Sequence, residues 1–228
     1  MEVITIKQPA GIGDIFYCLK IAKRLLLDNK TKKVIWPVSP VYSYIKDYIK
    51  FPNLEFVSSE NFNFFNGDLT INIQDADVGK SQYSFNMMKA KYDLVGLSDE
   101  DWLDYFSFER NHKREEKLFS NLNPSNEEYI LKSENVGSPP QFNKHHIDVS
   151  SDKKIINVEI SSEYNLFDWC KILENASEIY MVDTSFMYIM EKLDLKGNKF
   201  ELYSRYRPAN FNVVKHIPNK VKWNYNEW

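Results

Sequence analysis

Along the first hundred residues, short apolar runs alternate with stretches in which apolar residues recur every three or four positions. "VITIK" (3–7) is β-branched and reads as a strand. From 14 to 29, Ile15, Cys18, Leu19, Ala22, Leu25 and Leu26 keep the helical period. "KKVIWPV" (32–38) is a second strand. "SPVYSYIKDYI" (39–49) offers Ser39 as an N-cap and Pro40 at the first helical position, so it reads as a second helix. "LEFVS" (54–58) and "LTINI" (69–73) are further strands, and "SQYSFNMMKAKYDLVGL" (81–97) is a helix ending near Gly96. This β-α-β-α-β-β-α order predicts a mostly parallel sheet with helices on its faces.

The pattern changes over 98–129, which is charged and contains a long helix at roughly 108–122. The junction is placed here, giving halves 1–107 and 108–228. The second half resumes with the strand "EYILKS" (128–133), a polar loop (134–153), and the strand "KIINVEI" (154–160). A helix at 165–176, the strand "EIYMV" (178–182), a helix at about 184–194 and the strand "KFELY" (199–203) follow. The tail from 204 is irregular, and no internal repeat is visible. Each half reads by itself as an α/β unit. The architecture this predicts is two small Rossmann-like halves with mostly parallel sheets facing a cleft.

Composition narrows the function classes. With 228 residues, 43% of them hydrophobic, the chain can bury a sizeable core in one large or two small domains. A formal charge of −3 and only short basic clusters, such as Lys30 with Lys32 and Lys33, argue against a nucleic-acid partner. Cys18 and Cys170 fall in separate predicted helices, which favours free thiols and a reducing, cytoplasmic setting. There is no signal-like start and no apolar run long enough to span a membrane.

Two stretches carry candidate chemistry. "QPAGIGDIFYCLK" (8–20) places Gly11 and Gly13, two of only seven glycines, between a strand and a helix. Glycines there let the backbone turn sharply and let a ligand approach, and the first N–H groups of a helix lack intrahelical partners. Asp14 follows them, either as a residue that complements the helix start or as a general base. The spacing is neither G-x-G-x-x-G nor a P-loop. In "ASEIYMVDTSFMYIMEKL" (176–193), Asp183, Thr184 and Ser185 stand between a strand and a helix. All are N-cap types. One suffices to cap; the others leave spare hydroxyls at the strand's C-terminal edge, where open α/β sheets bind ligands.

These stretches resemble one family. "GIGDIFYCLKIAKRL" is similar to the N-terminal motif of the ADP-heptose:lipopolysaccharide heptosyltransferases, glycosyltransferases of GT-B architecture. "IYMVDTSFMYIMEKL" resembles that family's donor-diphosphate motif, and the order of the two motifs agrees. A looser resemblance extends to fucosyltransferase-like GT-B proteins and to glycosyltransferase-like proteins of large viruses and phages. The resemblance implies a compact GT-B fold, shorter than GT-B enzymes usually are, and transfer of a sugar from a nucleotide-diphospho-sugar to a glycan or glycoconjugate. It implies no cofactor and no bound metal. It implies Asp14 as the base that deprotonates the acceptor hydroxyl, and Thr184 and Ser185 at the donor diphosphate, with Asp183 shaping the turn. The family's basic motif between the halves has no clean counterpart. Lys132, by position, and Arg205 and Arg207 in "SRYRP", by charge, are the candidate phosphate partners.

Other readings compete. Asp75 and Asp77 in "INIQDADVGKS" would hold Mn²⁺ or Mg²⁺ beside a nucleotide-sugar in a GT-A transferase. A degenerate GT-B scaffold would only bind a glycan or a partner. "KHH" (144–146) is not spaced for zinc, and no Gly-x-Ser-x-Gly elbow exists for hydrolase chemistry.

Overall fold

The computed structural model describes residues 2–7, 11–28, 31–60, 62, 69–72, 85–138, 141–206, 209–211, 214 and 220–227. The chain divides into two units, Met1–Glu109 and Arg110–Trp228.

The first unit is a four-stranded parallel sheet. Its strands are β1 (Glu2–Lys7), β2 (Thr31–Val38), β3 (Leu54–Ser58) and β4 (Leu69–Asn72), in the order β3-β2-β1-β4. Ile4 pairs with Val34 on one side of β1 and with Leu69 on the other. Both faces of β1 are covered, so Ile4, Thr5 and Ile6 are all buried rather than alternating. Helix α1 (Ile12–Leu27) follows β1, and its apolar residues Ile15, Phe16, Leu19 and Ala22 are buried. Phe16 stacks on Phe106 with ring centroids 4.5 Å apart.

The predicted helix at 39–49 is broken into a 3₁₀ turn, Pro40–Tyr42, and a short α2, Ile45–Tyr48. Ser39 makes no side-chain cap bond, and the segment is rich in aromatic and β-branched residues that propagate a helix poorly. Helix α3 (Phe85–Asp93) lies within the predicted 81–97 and leads to a 3₁₀ turn, Trp102–Tyr105. Lys20 and Lys23 of α1 reach this region: Lys20 donates to Ser98 O (2.6 Å) and Lys23 to Tyr105 O (2.7 Å).

The second unit is a five-stranded parallel sheet. Its strands are β5 (Tyr129–Ser133), β8 (Lys154–Asn157), β9 (Glu178–Val182), β10 (Lys199–Tyr203) and β11 (Asn224–Asn226), in the order β11-β10-β9-β5-β8. Between β5 and β8, β6 (Asn135–Ser138) and β7 (Gln141–Lys144) form an antiparallel pair inside the stretch expected to be a loop. Their sequence is too polar to show a strand pattern. The strand β11 is also absent from the sequence expectation; its polar residues gain their place from the ladder to β10.

Helix α4 (His112–Leu122) begins at Asn111, whose side chain accepts from Arg114 N at 3.2 Å. The predicted helix at 165–176 is a 3₁₀ turn, Leu166–Trp169, running into α5 (Cys170–Asn175). Asn165 and Asp168 close a capping box at its start. Arg114 grips the fully buried Asp168 with two nitrogens, at 2.8 and 2.7 Å. Arg110 forks between Glu115 and Glu174, which joins α4 to α5. Among the described residues no helix is long and apolar enough to cross a membrane. Both cysteines are free and buried.

Candidate functional site

In the first unit the C-terminal end of β1 leads to Gly11, the N-cap of α1. Gly11 has φ −82° and ψ 126°, ordinary extended backbone, so the turn does not need glycine's conformational freedom. What it needs is room. A Cβ at residue 11 would overlap the Asp14 carboxylate at Oδ2. Gly13 lies inside the first turn of α1 and is half-buried. The helix starts two residues earlier than the predicted 14, which makes Asp14 its third residue and folds its carboxylate back over the cap.

The other carboxylate oxygen is held by an ion pair. Lys91 Nζ of α3 lies 2.6 Å from Asp14 Oδ1. The lysine is 1% exposed and the aspartate side chain 29%, so the pair presents its acidic half to solvent. The neighbouring Tyr92 donates from its hydroxyl to Tyr17 O, and Tyr17 donates to Asp99 Oδ2 at 2.8 Å. Burial pushes both phenols up, with Asp99 adding to the effect on Tyr17, so both remain protonated donors. Their rings meet edge to face at 5.1 Å.

In the second unit the C-terminal end of β9 leads through Asp183, Thr184 and Ser185 into α6 (Phe186–Met190), a helix shorter than the predicted 184–194. Capping does not explain these three residues. The Asp183 carboxylate turns to the loop after β10, accepting from Arg205 N at 3.0 Å and Arg205 Nε at 2.7 Å. Asp183 N donates to Tyr203 O at 2.9 Å, so the turns after two adjacent strands are stapled together. Ser185 makes no side-chain cap bond. Thr184 Oγ1 is buried and has no hydrogen-bond partner among the described residues. A buried hydroxyl left this way costs free energy, on the order of 1–3 kcal/mol, unless a ligand or water completes it. Asp183 is 3% exposed; burial raises its carboxyl, against the opposing pull of the Arg205 charge and hydrogen bonds. The Arg205 side chain is 41% exposed. Among the described residues its two terminal nitrogens make no hydrogen bond, and its guanidinium lies 5.9 Å from the centre of the Tyr206 ring.

The remaining candidates fall elsewhere. Lys132 Nζ lies 3.0 Å from Glu134 Oε1, and both side chains are largely buried, so this cation is already matched within the fold. Arg207, Asp75 and Asp77 lie outside the described residues. Among the described residues no group of three or more His, Cys, Asp or Glu converges on a metal-sized site. Two features escaped sequence reasoning. Lys91 carried a readable sign: at Met87, Lys91 and Val95 it takes an apolar place in a four-residue spacing. The Asp183–Arg205 staple carried none, since its partners are 22 residues apart on neighbouring strand ends.

Solved structures share the fold of this chain. The Escherichia coli ADP-heptose lipopolysaccharide heptosyltransferase II matches 99% of this chain and 90% of its own, with a TM-score of 0.54 and 8% identity. A family 9 glycosyl transferase from Veillonella parvula matches 99% of this chain and 86% of its own, with a TM-score of 0.52 and 7% identity. The chain has a glycosyltransferase fold. Its two parallel-sheet units are the Rossmann-like halves expected from the sequence, and the resemblance to heptosyltransferases read from two motifs extends to the fold. A dodecameric iron-containing heptosyltransferase, TibC, solved with ADP-D-β-D-heptose, matches 89% of this chain with a TM-score of 0.53 and 10% identity. The chain spans 58% of the TibC length. No protein-family profile and no curated protein sequence matches the chain.

Proposed function

We propose that this protein transfers a sugar from a nucleotide-diphospho-sugar to a hydroxyl of a glycan or glycoconjugate, with no bound metal. The observation that carries this reading is the turn at 183–185. Its side chains leave the helix uncapped, orphan a buried hydroxyl and hold an arginine with its outer nitrogens unbonded among the described residues, at the C-terminal edge of a parallel sheet. Thr184, Ser185 and Arg205 would meet the donor diphosphate; the unbonded edge of a guanidinium suits two phosphate oxygens. Asp183 would fix the arginine rather than touch the ligand. Asp14 would take the proton of the acceptor hydroxyl. The acceptor oxygen then bonds to the anomeric carbon, the bond from that carbon to the phosphate oxygen breaks, and the nucleoside diphosphate leaves with its charge met by Arg205. Such a donor and two free buried thiols fit a cytoplasmic place of action.

Thermal unfolding with a panel of nucleoside diphosphates and nucleotide-sugars, with EDTA or with Mn²⁺, tests this. Stabilisation that survives EDTA is expected, about 2.7 kcal/mol at one hundred times Kd. Stabilisation only with Mn²⁺ would overturn metal independence and point to Asp75 and Asp77. Nucleotide stabilisation without turnover would leave a binding scaffold.

A further inference from the structure

Among the described residues of the first unit, no charged side chain is less exposed than Lys91. Burying an ammonium is costly, and a methionine of similar length would fill the same space without that cost. Lys20 and Lys23, each 6% exposed, tie the 98–105 segment to α1: Lys20 donates to Ser98 O and pairs with the Asp101 carboxylate, and Lys23 donates to Tyr105 O. Lys91 directs its charge to the carboxylate at the strand–helix turn that faces solvent. There Oδ1 is held by Lys91 Nζ at 2.6 Å, while Oδ2 fills the space that Gly11 leaves. The ion pair sets the direction of the carboxylate, and the missing Cβ of Gly11 leaves the room that this direction needs.

We propose that Lys91 is a positioning residue: it sets the orientation in which Asp14 meets the acceptor hydroxyl. The proposal rests on Asp14 acting as the base. Misplacing a reacting group by an ångström can cost about 100-fold in rate.

A double-mutant cycle tests it, with Lys91→Met, Asp14→Asn and the pair together. Turnover is read as nucleoside diphosphate released from adenosine, uridine and guanosine diphospho-sugars in turn. Lys91→Met is expected to lower kcat about 10- to 100-fold with donor KM within about twofold. Asp14→Asn is expected to lower it at least about 100-fold. The pair should be no slower than Asp14→Asn alone, because Lys91 has nothing left to position. Losses that multiply in the pair would show that Lys91 acts elsewhere, and would overturn the proposal while leaving Asp14 as the base. Unchanged turnover in Asp14→Asn, or no donor consumed by the native protein, would overturn the base reading and the positioning role with it. Lys91→Gln guards against a Met variant that fails to fold. It keeps a hydrogen-bond donor and should retain more activity than Met; equal stability with native kcat would also overturn the proposal.

Discussion

A single oxygen of Asp183 accepts two hydrogen bonds from Arg205, one from the backbone N–H at 3.0 Å and one from Nε at 2.7 Å. The aspartate thus fixes both the path of the loop after β10 and the direction of the guanidinium. Burial raises its carboxyl, while the Arg205 charge and both hydrogen bonds pull the other way. Asp183→Asn keeps that oxygen and is expected to stay within about 1 kcal/mol of the native stability. Asp183→Ala strips the acceptor from two donors and should cost about 2–4 kcal/mol. Urea unfolding distinguishes them; equal losses would mean that charge, not acceptance, is what the loop requires.

Arg205→Lys tests the use of the fork. Lysine keeps the positive charge but has a single nitrogen, which cannot bond Asp183 and two phosphate oxygens in one plane. Nucleotide affinity measured by calorimetry is expected to drop about tenfold, and native affinity in this variant would place the diphosphate away from Arg205.

Gly11→Ala follows from the space shared with Asp14. The backbone at residue 11 accepts alanine, so the stability loss should be modest, about 0.5–1 kcal/mol. The added methyl must displace the carboxylate, and kcat is expected to fall about tenfold or more. A variant with lost stability and native kcat would show that the carboxylate position is unimportant for turnover.

Acid stability should depend on Glu134. Burial works against its charge, but the Ile147 N–H at 2.8 Å, Lys132 and His146 outweigh that and hold the carboxyl below its ordinary value of 4.5. A lowered folded value means stability that is present above 4.5 and lost as the pH falls through the folded value. Asp183 and Glu191 run the other way: burial raises both, so the stability they cost at neutral pH returns as the pH falls. Glu134→Gln is therefore expected to flatten the decline of Tm below about pH 4.5. A native acid profile in this variant would assign the decline to other carboxylates.

Much of the fold was legible from one dimension because its causes are local. "VITIK", "LEFVS" and "EIYMV" read as strands from β-branched runs, and the period of Ile15, Leu19 and Ala22 read as a helix. Strand–glycine–helix and strand–Asp-Thr-Ser–helix were visible as junctions for the same reason. Where strand identity came from a partner rather than from pattern, as in β6, β7 and β11, the polar sequence carried no sign of it.

The roles of the site residues were decided by partners distant in sequence. Asp14 could be a helix-start residue or a base by its spacing; Lys91, 77 residues on, holds its carboxylate over Gly11. Asp183 looked like one of three caps, but Arg205, 22 residues on, takes its oxygen, and the buried Thr184 hydroxyl has no hydrogen-bond partner among the described residues. Local sequence determines which backbone hydrogen bonds are cheap to make, and so the elements and their turns. Where a charge goes depends on which other charge the folded sheet brings within 3 Å, and only the tertiary structure decides that.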